Sequence, residues 1–235
     1  MRYAIYYTPA ADEPLARAAV AWLGRDAFGG PTAPAQPVAS LSAAEVAFHT
    51  ASARRYGFHA TLKAPFRLSS GESEVSLRHA VDLFAASTAP VVIPRLKIAQ
   101  LDGFLALVPD DKLPELYQFA GEVVSTFDRF RAPLTEKDIE RRNPDLLTPM
   151  QFRYLHRWGY PYVFDAFRFH MTLSGRVGDD DARRIETAIG ALFGEALSRP
   201  IVIDALTIFV EPEPGAPFVV LSRHPLGAEA VRKFA

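Results

Sequence analysis

The sequence predicts an α+β fold with two pseudo-symmetric lobes, each an antiparallel sheet with helices packed on its outer face, arranged around a central cleft. One observation is a repeated phrase. Phe-His-x-Thr-Leu occurs at residues 58–62 and again at 169–173, with the two histidines 111 positions apart. A second observation is that each phrase is followed by a helix, a strand, a hairpin turn and a strand. The same order of elements in both halves indicates an internal duplication.

Composition and charge limit the classes of function. The chain has 235 residues, 49% hydrophobic and 23% charged, which is typical of a globular domain. It contains no cysteine, which excludes disulfides, thiolate zinc sites and a cysteine nucleophile. No run approaches 18 apolar residues and the first residues lack a signal-peptide pattern, so we expect no membrane partner and a cytoplasmic location. The net charge of −1 argues against broad nucleic-acid binding.

Hydrophobic periodicity assigns the elements of the first half. They are, in order, strand 2–8, helices 12–27 and 43–49, motif strand 57–64, helix 72–87, strands 90–101 and 103–108, and helix 113–128. Ser42 and Glu45 have the spacing of a capping box at the start of the second helix. Pro65 is expected to end the motif strand, and Asp102-Gly103 is a tight-turn signal between two strands.

The second half repeats this order. Its elements are a helix around 147–157, motif strand 168–174, helix 180–197, strands 200–211 and 217–222, and a short helix near 227–233. The tripeptide Ile201-Val202-Ile203 echoes Val91-Val92-Ile93 at nearly the same distance from its histidine. We therefore predict one bilobal domain, divided as follows: a first lobe 1–128 with its motif at 59–61, a basic and aromatic insertion 129–167, and a second lobe 168–235 with its motif at 170–172.

Each phrase pairs a histidine with a threonine on one face of a strand, because side chains at positions i and i+2 point to the same side. The pairs are His59 with Thr61, and His170 with Thr172. The same rule extends each polar face by one basic residue, Lys63 in the first strand and Arg168 in the second, and both are predicted to contact the substrate. A packing repeat would require only the phenylalanine and leucine to recur, whereas here the histidine and threonine recur as well.

Two such pairs suit phosphorus chemistry. Imidazoles with a pKa of about 6.5 can hold opposite protonation states at neutral pH, one accepting a proton while the other donates one. The two hydroxyls can donate hydrogen bonds to the non-bridging oxygens of a phosphodiester. Phosphoryl transfer needs positioning and charge stabilisation more than covalent help. The pattern therefore predicts catalysis without metal or cofactor, and it leaves open which histidine is the acid.

The segment from 129 to 168 is locally basic. It holds seven arginines and one lysine against five acidic residues, together with eight aromatic residues. A basic and aromatic surface fits a phosphate attached to a ring or a sugar. Most of these side chains are expected to be solvated or part of the core, and three are predicted to contact the substrate: Arg141, Arg142 and Tyr160. A small phosphorylated substrate, rather than a long nucleic acid, is the expected partner.

The sequence resembles the two-histidine (2H) phosphoesterase superfamily, which is defined by tandem His-x-Thr/Ser motifs in two pseudo-symmetric lobes. The longer phrases Tyr-Gly-Phe-His-Ala-Thr-Leu-Lys (56–63) and Trp-Gly-Tyr-Pro (158–161) resemble a bacterial branch encoded with phosphonate-utilisation genes. The resemblance implies that the two His-x-Thr pairs are catalytic and that the activity is that of a cyclic phosphodiesterase or an RNA-ligase-like enzyme. It also makes Tyr56, which opens the first phrase, a candidate substrate contact.

The function expected from both lines of reasoning is a metal-independent phosphodiesterase acting on a small nucleotide or ribose cyclic phosphate, associated with phosphonate metabolism. One alternative is an RNA-processing enzyme, a 2′–5′ ligase or cyclic phosphodiesterase acting on RNA ends. A second is a non-catalytic protein that binds a phosphorylated ligand. A third, a metal-dependent hydrolase with His59 and His170 as ligands, is weakened because no acidic residue accompanies either histidine on its strand face. The expected oligomeric state is a monomer or a weak dimer.

Overall fold

The computed structural model describes residues 1–29 and 34–227. In these ranges the strands are β1 (Arg2–Tyr7), β2 (Ala60–Phe66), β3 (Val91–Ile93), β4 (Leu96–Leu101), β5 (Phe104–Pro109), β6 (Met171–Arg176), β7 (Ile201–Ile203), β8 (Ala205–Glu211) and β9 (Val219–Pro225). The α helices are α1 (Pro14–Leu23), α2 (Ala43–Tyr56), α3 (Glu74–Ser87), α4 (Pro114–Thr126), α5 (Glu136–Glu140), α6 (Pro149–Trp158) and α7 (Asp179–Leu197). The short helix predicted near 227–233 falls almost wholly outside the described residues.

The predicted α+β class is confirmed by one large antiparallel sheet. Its seven strands lie in the order β4-β5-β6-β2-β1-β8-β9, and all neighbouring pairs are antiparallel. The motif strands β2 and β6 are neighbours near its centre, where Ala60 lies opposite Met171. These residues are equivalent in the two phrases, because each directly follows its histidine. The pseudo-two-fold axis of the duplication therefore passes between the two motif strands.

A second, two-stranded sheet obeys the same symmetry. Strands β3 and β7 are the two apolar tripeptides that echo each other in the sequence. They pair with each other in antiparallel fashion, with Val92 opposite Val202. Pairing of equivalent segments is the arrangement that a two-fold relation between repeats requires.

The strands of the two repeats are interleaved, which differs from the expectation of one lobe for each half of the chain. Hairpin β4-β5 of the first repeat lies beside β6 of the second. Hairpin β8-β9 of the second repeat lies on the side of β2, separated from it by β1. In each half of the chain, the short strand β3 or β7 follows the motif strand and precedes the hairpin. Because β3 and β7 pair with each other, each half crosses to the other half's side of the sheet before its hairpin begins. On either side of the boundary between β6 and β2, the large sheet therefore contains strands from both halves of the chain.

Strand β1 shows that the sheet has two different faces. Its residues Tyr3, Ile5 and Tyr7 join the main core, which is formed together with helices α1, α2, α3, α4 and α7. Tyr6 points to the other side, into a small cluster that includes Phe209. Side chains alternate along a strand, so one face of the sheet is a core face and the other is a cleft face.

Two local predictions are confirmed. Ser42 Oγ accepts a hydrogen bond from the N–H of Glu45 at 3.3 Å, and the Glu45 carboxylate accepts one from the N–H of Ser42 at 2.8 Å, which is a capping box at the start of α2. Asp102 and Gly103 have φ angles of 49° and 90°. Positive φ at both central positions is characteristic of a type I′ hairpin turn.

Two predicted boundaries are wrong for identifiable reasons. Helix α2 runs to Tyr56, well beyond residue 49, and ends only at Gly57, whose φ of 75° is not helical. Strand β2 passes through Pro65 and ends at Phe66. Proline is tolerated there because, among the residues that the structure describes, β2 pairs with β6 only at Ala60, so its later residues have no ladder partner on that side.

A β-bulge in β2 overturns the prediction for Lys63. Tyr6 of β1 lies opposite Thr61. The preceding residue, Ile5, lies opposite Lys63, so one step along β1 corresponds to two steps along β2. The extra residue reverses the alternation, and Lys63 joins Ile5 on the core face. The prediction that Lys63 extends the polar face of the motif is therefore wrong.

The Lys63 ammonium group is paired inside the core. Nζ donates to the carbonyl oxygen of Val124 at 3.2 Å and lies 3.2 Å from Oδ1 of Asp128. The same carboxylate oxygen accepts a hydrogen bond from Nε of Arg131 at 2.9 Å. Burial lowers the pKa of Lys63 to about 8, although the Asp128 charge raises it. One carboxylate thus compensates two largely buried cations.

Replacement of Asp128 by asparagine is expected to lower the free energy of unfolding by roughly 3 kcal/mol, because it leaves two largely buried cations without their counter-charge. Lys63→Met is the matched control. It should cost clearly less, because it removes the buried charge and keeps a side chain of similar length. Urea denaturation of the purified variants measures both losses. Equal losses in the two variants would contradict the role assigned to Asp128.

Candidate active site

The two repeated phrases meet in one cavity on the cleft face. His59 and His170 directly precede β2 and β6, and each threonine of the pair is the second residue of its strand. His59, Thr61, His170 and Thr172 together line a cavity of about 350 Å³, which we call the central cavity. The structure therefore brings together all four residues that the sequence predicts to be catalytic.

Both motif strands bulge after the repeated His-x-Thr. In β6, Thr172 lies opposite Ala106 of β5 and Arg176 lies opposite Phe104, so four residue steps along β6 correspond to two along β5. The irregularity is stabilised by Ser174, whose buried hydroxyl accepts a hydrogen bond from the N–H of Leu105 at 2.9 Å. Bulges often occur beside active sites, where they redirect side chains. Here they limit the polar face of each strand to the residues at and before the bulge.

Each imidazole is held by the backbone carbonyl two residues before it. Nδ1 of His59 lies 2.9 Å from the carbonyl oxygen of Gly57, and Nδ1 of His170 lies 2.8 Å from that of Arg168. A carbonyl only accepts, so Nδ1 carries the hydrogen in both neutral rings and Nε2 keeps its lone pair. Nε2 of His59 lies 3.3 Å from Oγ1 of Thr61. Both rings therefore offer the same nitrogen for proton transfer.

The enclosed position of the two rings disfavours their charged forms. Burial lowers the pKa of His59 to about 4; its hydrogen bond to Gly57 raises it, and the charge of His170 lowers it further. Burial also lowers the pKa of His170, while the carbonyl of Arg168 and the charge of Asp102 raise it. Both rings are therefore mainly neutral at pH 7 in the free protein. An anion between them would stabilise the charged forms and raise both pKa values.

The two histidines have different neighbours. The ring of His59 stacks on Tyr6, with ring centroids 3.9 Å apart and an angle of 24° between the planes. Tyr6 is itself buried against Phe209, at 5.0 Å between centroids. The ring of His170 contacts Phe104 at 5.6 Å in a tilted arrangement. His59 thus rests on an aromatic support that is part of a packed cluster, and the contact of His170 is looser.

Two arginines that the sequence analysis missed, Arg2 and Arg55, also line the central cavity. Both bind Glu211 of β8, through Nε of Arg2 at 2.5 Å and Nη2 of Arg55 at 2.6 Å. Glu211 is only 1% exposed and also accepts a hydrogen bond from the N–H of Gly215 at 3.1 Å. Burial raises the pKa of Glu211, but these hydrogen bonds outweigh it and lower the pKa to about 2. The carboxylate is therefore ionised at neutral pH.

Four of the predicted substrate contacts line the same cavity: Tyr56, Arg141, Arg142 and Tyr160. The guanidinium of Arg142 lies 4.8 Å from the centre of the Tyr160 ring, within the range of a cation–π contact. Nη2 of Arg141 lies 3.4 Å from Oδ1 of Asp138. The basic and aromatic insertion thus supplies part of the cavity wall, and the central cavity is lined by four guanidinium groups.

Arg168 lies outside the central cavity. Its exposed guanidinium is 3.7 Å from the carboxylate of Asp102. It lines an adjoining cavity of about 550 Å³ that shares His170, Thr61 and Tyr160 with the central one. In the described structure its contact with the motif is made by its backbone carbonyl, which orients His170.

Within residues 1–29 and 34–227, no group of three or more His, Cys, Asp or Glu side chains is placed to hold a metal ion. None of the helices in those ranges has the length and apolar character needed to cross a membrane.

The chain matches one protein family and is similar to about half of the length of two curated proteins. Residues 61–219 match a family described as a protein of unknown function (DUF1045). Ribose 1,5-bisphosphate phosphokinase PhnN of Janthinobacterium sp. (strain Marseille) is 41% identical over 98% of this chain and 52% of its own length. The protein of the same name from Laribacter hongkongensis (strain HLHK9) is 35% identical over 93% of this chain and 50% of its own. The chain thus spans about half the length of the curated relatives it matches.

Two solved structures are similar at a low level. Escherichia coli LigT complexed with 3′-AMP aligns with a TM-score of 0.42 and 14% identity, covering 96% of this chain and 97% of that one. A crystal structure of a phosphoesterase aligns with a TM-score of 0.41 and 14% identity, covering 96% and 98% of the two chains.

Nitrogen-15 NMR of the imidazoles should find His59 neutral and protonated on Nδ1 at pH 7, with a pKa of about 4. Saturation with inorganic phosphate is expected to raise the pKa values of His59 and His170, because an anion stabilises the imidazolium form. The variants His59→Gln and His170→Gln assign the two sets of resonances. A His59 pKa at or above its ordinary value in the free protein would contradict the burial of this ring.

Proposed function

The chain belongs to the DUF1045 family of proteins of unknown function, and we propose that it is a metal-independent phosphoesterase of the two-histidine superfamily that hydrolyses the cyclic phosphodiester of a small ribose-type phosphate. The observation that supports this activity is the meeting of both His-x-Thr pairs in the central cavity. Two imidazoles with the same free nitrogen, each with a hydroxyl two residues away, provide an acid, a base and two hydrogen-bond donors around one phosphorus atom.

In the proposed mechanism the phosphodiester lies between the two imidazoles. The hydroxyls of Thr61 and Thr172 donate to its non-bridging oxygens. One histidine accepts a proton through Nε2 from a water molecule, whose oxygen forms a bond to phosphorus. The other histidine donates its Nε2 proton to the ester oxygen on the opposite side as the phosphorus–oxygen bond breaks. The product is a phosphomonoester, and the proton returns from one histidine to the other through solvent.

The protonation states require a contribution from the substrate. Catalysis needs one neutral and one charged imidazole, whereas burial favours two neutral rings in the free protein. An anionic substrate between the rings stabilises the charged form of either ring. Binding of the phosphodiester thus generates the acid that the reaction needs. An uncharged ester in the same position would not provide this stabilisation.

The size and class of the substrate are proposed from the cavity and the relatives. A cavity of about 350 Å³ has room for one sugar phosphate. The relatives that share this region are named for ribose 1,5-bisphosphate. The phrases around the motifs resemble a branch associated with phosphonate utilisation, which agrees with a ribose phosphate. A small substrate also fits a chain with a net charge of −1 better than long RNA does.

The kinase activity in the name of the relatives is not proposed for this chain. P-loop kinases hold their phosphates with the sequence Gly-x4-Gly-Lys-Ser/Thr. The present chain contains no Gly-Lys pair, and it matches only about half of each relative. We therefore assign this region a phosphoesterase role on a related ribose phosphate.

Steady-state kinetics on a cyclic phosphodiester test the roles of the four motif residues. His59→Ala and His170→Ala should each lower kcat by roughly 10²–10⁴-fold, the usual range for one general acid or base. The double variant should lose far less than the product of the two factors, because the two groups act as a unit. Thr61→Val and Thr172→Val should lose less than the histidine variants, as expected for one hydrogen bond to a charged group.

His79→Ala is the matched control, since His79 is exposed on α3 and does not line the central cavity. It should turn over at the wild-type rate. Circular dichroism and thermal unfolding verify that every variant is folded. Near-wild-type turnover in either folded motif-histidine variant would show that the two-histidine mechanism is wrong.

Extensive dialysis against EDTA is expected to leave the activity unchanged, because the mechanism assigns every step to side chains of the protein. The measurement is the rate before and after chelation, with metal analysis of the dialysed protein. Loss of activity that a single divalent ion restores would favour the alternative in which His59 and His170 are metal ligands.

A further inference from the structure

The central cavity contains more positive charge than the reacting group requires. Four guanidiniums line it: Arg2, Arg55, Arg141 and Arg142. A cyclic phosphodiester carries one negative charge, and the two His-x-Thr pairs already offer donors to its oxygens. Glu211 neutralises one of the four cations. Asp138, which is paired with Arg141, is shared with Arg67 outside the central cavity. A cationic surplus remains after these pairings.

Arg2 lies at the far end of the cavity from the histidines. It precedes Tyr6 by four residues on β1, and Tyr6 lies opposite Thr61. At a rise of 3.3–3.4 Å per residue, the Cα atom of Arg2 is roughly 13 Å along the sheet from the level of Thr61. An arginine side chain spans only part of this distance. The cations near Arg2 therefore mark a location separate from the His-x-Thr pairs.

Between these two locations the sheet contributes uncharged side chains, because Ala64 and Pro65 of β2 line the cavity there. The rings of Tyr56 and Tyr160 also line the cavity, and each lies against a guanidinium, that of Arg55 at 5.6 Å and that of Arg142 at 4.8 Å. The bulge that turns Lys63 into the core is the reason that the small side chain of Ala64 stands on the cleft face. Mostly apolar walls with polar groups at defined points suit the ring of a small ligand.

Two of the cations are held in place before any ligand binds. Glu211 binds both Arg2 and Arg55, and it is almost completely buried. Arg55 uses Nη2 for this bond, whereas its buried Nε has no hydrogen-bond partner within the described residues. Guanidinium groups match the geometry of phosphate oxygens and bind them through two donors at once. The two guanidiniums that share Glu211 are therefore positioned in advance for an anionic partner in the cavity.

We propose that Arg2, Arg55, Arg141 and Arg142 form a second phosphate subsite, separated from the reacting phosphorus by one pentose ring. The substrate is then a furanose that carries a cyclic phosphodiester at one end and a phosphomonoester at the other. The identity of the substrate rests on the proposed function, because that function defines the reacting end. The second subsite itself is tested by phosphate binding, which can be measured without any turnover of substrate.

Isothermal titration calorimetry with inorganic phosphate tests the subsite directly. The wild-type protein is expected to bind two phosphate ions per chain. Arg55→Gln should weaken one of the two sites by roughly tenfold or more and leave the other, because it removes a charge-assisted hydrogen bond from that site only. Thr61→Val should weaken the other site. Arg183→Gln, at an exposed arginine of α7 outside the cavity, is the matched control and should bind as the wild type does.

Binding of no phosphate, or of a single phosphate that both Arg55→Gln and Thr61→Val weaken alike, would overturn the proposal. The second result would mean that all the groups serve one anion. Circular dichroism of each variant excludes misfolding as the cause of a lost site.

Kinetics on a matched pair of substrates test the substrate class. The pair is methyl ribofuranoside 2,3-cyclic phosphate with and without a 5-phosphate. The wild-type kcat/KM should favour the 5-phosphorylated compound by on the order of 100-fold, as expected for several hydrogen bonds to a dianion. Arg55→Gln should reduce this ratio, whereas Arg183→Gln should keep it. A general structural effect of the substitution would lower both rates and leave the ratio unchanged.

The outcomes of these experiments separate the proposed function from the second phosphate subsite. If neither compound is hydrolysed while two phosphates still bind, the proposed function is wrong and the subsite stands. If both compounds are hydrolysed at equal kcat/KM, the proposed function stands and the second subsite is overturned.

Discussion

The pairing of Ala60 with Met171 is the contact on which the site depends. Both residues are fully buried, and each lies between the histidine and the threonine of its phrase. An antiparallel pair at these positions brings the two polar pairs within about one strand spacing, roughly 4.8 Å. The repeated phenylalanine and leucine are buried in the main core. They oppose a slip of register, because a shift by one residue would turn the polar groups into that core. Apolar packing on the core face of the sheet thus fixes the positions of the His-x-Thr pairs on the cleft face.

Features that depend on neighbouring residues could be predicted from the sequence. The capping box at Ser42, the turn at Asp102 and the His-x-Thr pairs follow from short patterns, and the duplication predicts that the two pairs share a cleft. Lys63 could not be placed in the same way. Period-two alternation holds only in a regular strand, and the bulge that reverses it arises from pairing with β1, which lies far away in the chain. The end of α2 at Gly57 is similar, since a Cβ there would lie 2.7 Å from that of Ala27.

Only two of the four arginines that line the central cavity could be predicted from the sequence. The arginine pair of the insertion is predictable because its surroundings are locally basic. Arg2 and Arg55 lie in segments of ordinary composition, and they become neighbours only through Glu211, which is 209 and 156 positions away from them. A buried carboxylate shared by two distant arginines is not contained in any short window of sequence. Alternation along β1 places Arg2 on the same face as Tyr6, and this is the one signal that points to it.

The exchanged hairpins relate the two repeats in the way that a domain-swapped homodimer relates its subunits. In a homodimer every residue occurs twice, so both histidines would have identical surroundings. A single chain is free of that requirement. Here His59 stacks on Tyr6 while His170 meets Phe104, and all four cavity arginines come from segments outside the repeated elements. Covalent joining of the repeats therefore allows a symmetric pair of imidazoles to receive a ligand whose two ends are different.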